Sequence, residues 1–210
     1  MKIALLGASG RTGLRFIPMA LERGFEVRAL ARTPSSLGAF AGKVQVVQGD
    51  ATDPTRVREL IGGCEAVVSA LGAASIRESG LHVRAMPVVA AAMREAGVRR
   101  YVGLNSAAAF LPSDKPGLGL QLMKLGRWVV PGYFADKKAE VDAVVQADLE
   151  WTLLRAGPLT DDAGEAYRAE LDTLASGVRA KTSRAAVARA MIDALAEKKW
   201  VRQAPYVLSA

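Results

Sequence analysis

Tyr133 and Lys137 stand four residues apart in a stretch with helical periodicity, which puts both on one helix face. An ammonium beside a phenol favours the phenolate, so such a pair readily gives a proton to a carbonyl or alkoxide oxygen. The lysine can also hold a ribose. Ser106, just past a predicted strand, is placed to orient the oxygen that takes the proton. The three residues together fit hydride transfer with acid catalysis. The plainer alternative is a tyrosine packed at a loop end, with Lys137 and Lys138 on a solvated face.

Hydride transfer needs a nicotinamide, and the start of the chain carries the signal for one. Gly7-Ala8-Ser9-Gly10-Arg11-Thr12-Gly13 follows the apolar run Ile3-Ala4-Leu5-Leu6. It precedes Leu14, Ile17, Ala20 and Leu21 at helical spacing. A buried strand that turns through glycines into a helix gathers backbone N–H groups and the helix's positive end at one point, which binds a pyrophosphate. Gly7 allows the turn, Gly10 admits the phosphates, and Gly13 lets the helix pack closely. Ser9, Arg11 and Thr12 complete the predicted loop. A structural strand–helix turn is the alternative.

The end of the second strand bears on which dinucleotide fits. A carboxylate about 20 residues past the glycines would hold the ribose 2′-hydroxyl of NAD. Arg28-Ala29-Leu30-Ala31-Arg32-Thr33 offers none. Arg32 instead suits a 2′-phosphate, which a guanidinium grips with two parallel hydrogen bonds. Arg11 is expected to flank the adenine and that same phosphate. NADP(H) is therefore expected ahead of NAD(H), with Arg32 as an ordinary surface arginine the alternative.

These residues need a frame, and the pattern along the chain supplies it. Strands are expected near Lys2–Leu6, Glu26–Ala31, Val44–Gln48, Ala66–Ala70, Tyr101–Asn105, Trp151–Arg155 and Tyr206–Leu208. Helices are expected near Thr12–Arg23, Pro54–Ile61, Val83–Ala96, Ala135–Ala147 and Ser183–Lys198. Such alternation implies an α/β fold: a doubly wound parallel sheet with helices on both faces. Ligands bind such sheets at the strands' carboxyl ends. Asp50 and Ala51 after the third strand, Ala70-Leu71-Gly72 after the fourth, and Asn105 at the end of the fifth are therefore candidate cofactor contacts. Asp50 is expected either beside the adenine or as the cap of the next turn.

The segment from Ala107 to Phe134 breaks the rhythm with prolines and glycines among many apolar residues. Such a stretch reads as a lid or substrate wall, with a packed structural excursion and a homo-oligomer or protein-partner contact as the alternatives.

Composition narrows the classes. The chain has 210 residues, half of them hydrophobic, enough for one domain with a substantial core. A single domain over 1–210 is expected, with a core over 1–155 and an extension over 156–210. One cysteine, Cys64, forbids an internal disulfide, and one histidine, His82, forbids a multi-histidine metal site. The net charge of +7 is scattered, with no basic run interleaved with aromatics, so an anionic cofactor accounts for it better than nucleic acid. No long uncharged apolar run suggests a membrane span. With a strand and cofactor loop at the first residues, no signal peptide is expected, and a cytoplasmic location is expected.

The glycine loop resembles that of the atypical short-chain dehydrogenase/reductases, in the NAD(P)H-binding NmrA-like group. So do Ala31-Arg32, Gly49-Asp50, Asn105-Ser106-Ala107, Arg155-Ala156-Gly157-Pro158-Leu159-Thr160 and Ser183-Arg184-Ala185-Ala186-Val187-Ala188. In compact length the chain is similar to flavin reductase/biliverdin-IXβ reductase proteins. The resemblance implies a Rossmann fold whose small C-terminal part shapes the substrate site. It also implies an NADP(H) preference, with the cofactor held at Gly7–Gly13, Arg32 and Ser106. Arg155-Ala156-Gly157 stands where most relatives read Arg-Pro-Gly.

The expectation is an NADPH-dependent reductase of a small planar acceptor: a flavin, a quinone or a carbonyl compound. The alternatives are a non-enzymatic NADP(H) sensor and an enzyme resembling nucleotide-sugar epimerases. Arg32→Ala should weaken NADPH binding by roughly 2–3 kcal/mol, the scale of lost charged hydrogen bonds, and leave NADH binding nearly unchanged. Titration calorimetry with both cofactors checks this, and equal losses would sink the 2′-phosphate role.

Overall fold

The computed structural model describes residues 1–72, 80–111, 114, 128–171 and 181–210. An eight-stranded sheet organises the chain. Its strands are β1 (Lys2–Leu6), β2 (Glu26–Ala31), β3 (Gln45–Gln48), β4 (Ala66–Ser69), β5 (Arg100–Ser106), β6 (Glu150–Ala156), β8 (Tyr167–Glu170) and β10 (Tyr206–Ser209). They lie in the order β3-β2-β1-β4-β5-β6-β10-β8. All neighbouring pairs are parallel except β10 with β8. β7 (Leu159–Thr160) and β9 (Thr182–Ser183) form a separate parallel pair. The doubly wound α/β expectation holds, and the strand order reverses between β1 and β4.

The side-chain period of two sorts the core onto two faces. Ile3, Leu5, Val68 and Val102 share one layer with Phe16 and Ile17 of α1 (Gly13–Glu22) and Val187 and Met191 of α5 (Arg184–Ala196). Ala4, Leu6, Val67 and Tyr101 share the other with α2 (Pro54–Ile61), α3 (Leu81–Glu95) and α4 (Pro131–Gln146). The predicted α2 and its bounds are reproduced, and Asp53 explains its start. The Asp53 carboxylate accepts from the N–H groups of Thr55 and Arg56, and Pro54 fills a position that needs no donor. Ser183 caps α5 in the same way, accepting from Ala186 N at 2.9 Å.

Two expectations are corrected. The helix carrying Lys137 begins at Pro131, not Ala135, so Tyr133 already lies within it. The strands β7, β8 and β9 were not anticipated. Residues 131–134 of the proposed 107–134 excursion are thus helical. Ala107–Ala109 are buried, Trp128 and Val129 are exposed, and most of the excursion lies outside the described residues.

Arg155 ties β6 to the segment after β5. Its guanidinium is buried, stacks 3.8 Å from the Tyr206 ring, and donates to the carbonyls of Ala109 and Ala204. It also meets the Asp114 carboxylate at 2.7 Å. Removing one partner of a buried pair leaves the other charge uncompensated, at a cost of about 3–5 kcal/mol. Arg155→Met should destabilise the fold on that scale, read by urea unfolding. A loss under about 1 kcal/mol would show the pair to be dispensable.

Candidate active site

The glycine loop sits at the carboxyl end of β1, where the strand order reverses. Gly7 has φ of +73°, and a Cβ there would lie 2.5 Å from the Ala70 carbonyl oxygen at the end of β4. A Cβ at Gly13 would collide with the Gly7 and Ala8 carbonyls. These two glycines therefore set how closely α1 and β4 approach the loop. The outer side is open: Ser9, Gly10 and Arg11 are exposed, while Thr12 is buried beneath them. Bare backbone at a helix N-terminus is what a pyrophosphate requires, so the residues present fit a dinucleotide.

Around the loop, the predicted residues take distinct places. Leu71 and Ala70 are half-buried, Gly72 is exposed, and Ala51 is buried. Asp50 adopts the turn-capping role, accepting from Thr52 N at 2.9 Å and Thr52 Oγ1 at 2.7 Å. Those two hydrogen bonds hold its carboxyl below the usual range. Arg32 is exposed at the end of β2, and its guanidinium makes no hydrogen bond or ion pair among the described residues. Arg11 instead pairs with Asp161 at 2.8 Å. Arg15 donates to the Asp161 carbonyl at 2.8 Å, and Arg184 meets its carboxylate at 3.0 Å. Asp161, which sequence reasoning did not single out, thus ties the segment after β7 to the glycine loop and to α5.

The predicted chemical trio is assembled. Tyr133 OH donates to Ser106 Oγ at 2.8 Å, and Ser106 Oγ also accepts from Ala108 N at 3.1 Å. Lys137 Nζ lies 5.6 Å from the centre of the Tyr133 ring. Ser106 and Tyr133 are half-buried, and Lys137 is buried. Asn105 does not turn outward. It is buried, donates to the Lys137 carbonyl at 3.0 Å and accepts from Ser106 N at 2.7 Å. One side chain thereby pins α4 to the end of β5 and fixes Ser106 against Tyr133.

Beneath the trio lies a group of charges. Asp136 Oδ1 accepts from the backbone N–H groups of His82 at 2.7 Å and Val83 at 3.3 Å. It therefore caps α3 from another helix, since Gly80 has no side chain to do so. Asp136 Oδ2 lies 2.9 Å from His82 Nδ1 and 3.7 Å from Lys137 Nζ. The available signal was the inward stripe of α4, which reads Asp136, Lys137 and Glu140 before Val141 and Val144. Charges where an apolar stripe belongs mark a polar site.

Burial pushes the Asp136 carboxyl up, but the His82 hydrogen bond, the Lys137 ammonium and the Val83 N–H outweigh it and bring it down to about 2. A carboxyl that ionises more readily folded than unfolded stabilises the fold above about pH 4, and that contribution fades as pH falls toward its folded value. Between about pH 5 and pH 2 the wild type should therefore lose about 2 kcal/mol more stability than Asp136→Asn. Urea unfolding across that range checks it, and parallel curves would contradict it.

The sequence model of a family described as NAD(P)H-binding matches residues 7–198. The chain is 28% identical over 166 residues to the uncharacterized protein YwnB of Bacillus subtilis, covering 79% of this chain and 76% of that one. It is 30% identical over 113 residues to a 3-beta-hydroxysteroid dehydrogenase of Mycolicibacterium neoaurum, covering 48% of this chain. The aligned part is 31% of that protein's length, so this chain spans about a third of it. A short-chain dehydrogenase/reductase (wide type) of Veillonella parvula, solved in complex with NADP, superposes with a TM-score of 0.77 at 21% identity, over 99% of this chain and 94% of that one. The oxidoreductase ylbE of Lactococcus lactis superposes with 0.79 at 18% identity, over 100% and 91%. At these identities the two structures speak for the fold.

Proposed function

The chain belongs to the NAD(P)H-binding family, and we propose that it is an NADPH-dependent reductase of small planar acceptors, with carbonyl compounds and quinones ahead of flavins. The observation that carries this reading is the Tyr133–Ser106 hydrogen bond beside Lys137, at the same edge of the sheet as the glycine loop. Reduced nicotinamide supplies a hydride when bound there. What remains for the protein is to place the acceptor oxygen and to give it a proton.

Ser106 and Tyr133 are suited to that task. An acceptor oxygen between the two hydroxyls takes one hydrogen bond from Ser106 and the proton from Tyr133. Lys137 faces the tyrosine ring and offsets the charge left on the phenolate. Such a site favours acceptors that end with a new O–H bond, whereas a flavin can take hydride without help from a protein acid. The name of the matched steroid dehydrogenase fits an acceptor of carbonyl type. Arg32 supports NADPH over NADH, because its guanidinium stands exposed past β2 while the nearby Asp50 carboxylate is turned to Thr52.

Tyr133→Phe removes the donor and keeps the ring. With a carbonyl or quinone acceptor, kcat should fall about 10²–10⁴-fold, the usual worth of a positioned acid. NADPH affinity should stay unchanged. Steady-state kinetics with a parallel NADPH titration check both, and an unaltered kcat would remove Tyr133 from the reaction and favour direct hydride transfer to a flavin.

A further inference from the structure

The buried charges under Lys137 go further than neutralising it. His82 is fully buried at the start of α3, and both ring nitrogens face carboxylates of α4. Nδ1 lies 2.9 Å from Asp136 Oδ2, and Nε2 lies 3.6 Å from Glu140 Oε2. Glu140 is also fully buried, and its other oxygen accepts from Tyr101 OH at 2.6 Å. Room for this carboxyl comes from Gly103 of β5, where a Cβ would collide with Glu140 Oε1. Among the described residues, His82 Nε2 and Glu140 Oε2 have no hydrogen-bond partner. The two atoms face each other inside the core just beyond hydrogen-bond distance, so a closure of a few tenths of an ångström lets them share a hydrogen.

Charge balance says how many protons the pair holds. Asp136 is ionised and faces the Lys137 ammonium, so these two cancel. An ammonium is donor only, so the 3.5 Å contact between Lys137 Nζ and His82 Nδ1 gives Nδ1 no bond if Nδ1 carries hydrogen. Both nitrogens then donate toward Asp136 Oδ2. One further proton, on Glu140 Oε2 or on His82 Nε2, leaves the cluster neutral. With none, a bare carboxylate would be buried without compensation, which is costly. Burial raises the proton affinity of Glu140 more than the neighbouring His82, Tyr101 and Lys137 lower it, which favours Glu140 as the resting site. Burial holds Tyr101 well above its usual range, so it remains a donor. Among the described residues, the groups facing the imidazole are thus Asp136, Lys137 and Glu140 of α4, with Tyr101 of β5 behind Glu140. Arg84, further along α3, acts on Asp50.

We propose that His82 and Glu140 are positioning residues of the Tyr133–Lys137 pair, holding one buried proton that moves from Glu140 Oε2 to His82 Nε2 when Tyr133 gives up its own. The O–H bond at Glu140 breaks as the N–H bond at His82 forms, and nothing else is consumed. The move brings positive charge to the ring that touches Lys137, so the phenolate forms beside a more positive neighbour. The negative charge goes to Glu140, on the far side of the ring. When Tyr133 regains a proton, the shift reverses. This assignment rests on the reductase reading for its role in turnover, but the resting arrangement can be read without turnover.

His82 is the single histidine of the chain, so its ¹⁵N imidazole signals need no assignment. At neutral pH the wild type should show a neutral ring protonated at Nδ1. In Asp136→Asn the new amide donates toward Nδ1, and the tautomer should switch to Nε2–H. In Glu140→Gln the amide oxygen still accepts from Tyr101, the NH₂ faces Nε2, and the ring should stay locked as Nδ1–H. That variant cannot shift a proton, so its kcat should fall about tenfold, equivalent to one unit of proton affinity, with KM and NADPH binding unchanged. An Nε2–H tautomer or an imidazolium in the resting wild type overturns the arrangement whatever the variants do. An unchanged kcat in Glu140→Gln overturns its role. A wild type that reduces no acceptor would count against the reductase reading, while an Nδ1–H spectrum would still support the cluster's resting arrangement.

Discussion

One carboxylate, that of Asp136, joins what the site depends on. Its first oxygen closes the otherwise uncapped start of α3, and its second faces both the only imidazole and the Lys137 ammonium. Because α3 and α4 follow different strands, this contact fixes one crossover against another. Asn105 adds a second tie, holding the Lys137 carbonyl to the end of β5. Ser106 and Tyr133 then meet because their backbones are pinned from both sides, and the distance between their oxygens is set by the packing of α4 on the sheet.

The same edge of the sheet carries the glycine loop, and the two halves of the site are built on opposite principles. At the loop, side chains are removed so that backbone can approach backbone and phosphate: a Cβ at Gly7 would press on the end of β4. Under Lys137, polar side chains crowd a core layer that is otherwise apolar, and Gly103 makes space for a buried carboxyl. The first arrangement binds an anion through fixed dipoles. The second stores charge where water does not reach, and so acts more strongly on the tyrosine than surface groups would.

Much of this was legible in the chain. The loop could be read because a strand, three glycines and an amphipathic stretch are contiguous, and the strands because each is a short apolar run between polar turns. Ser106 and Tyr133 were found separately, one from its place after a strand and the other from its spacing to Lys137. The true start of α4 was hidden because Pro131 and Gly132 read as breakers, although proline fits the first turn of a helix. β7 and β9 have two residues each, too few to show a period, and β8 is a polar edge strand. The roles of His82, Asp136 and Glu140 depend on contacts between helices whose sequence separation exceeds fifty residues, beyond any local pattern. Asp161 was missed for the same reason, lying 150 residues from the Arg11 it pairs with.

The central claim is that a cofactor held by the glycine loop delivers reducing power to an acceptor placed by Ser106 and Tyr133. The most direct measurement is consumption of NADPH by the purified protein with a panel of small carbonyl compounds, quinones and flavins, followed together with formation of the reduced acceptor. The account predicts matched consumption and product, fastest with acceptors that end with a new O–H bond. Protein that binds NADPH tightly and leaves it unoxidised with every acceptor would contradict it and point to a cofactor sensor.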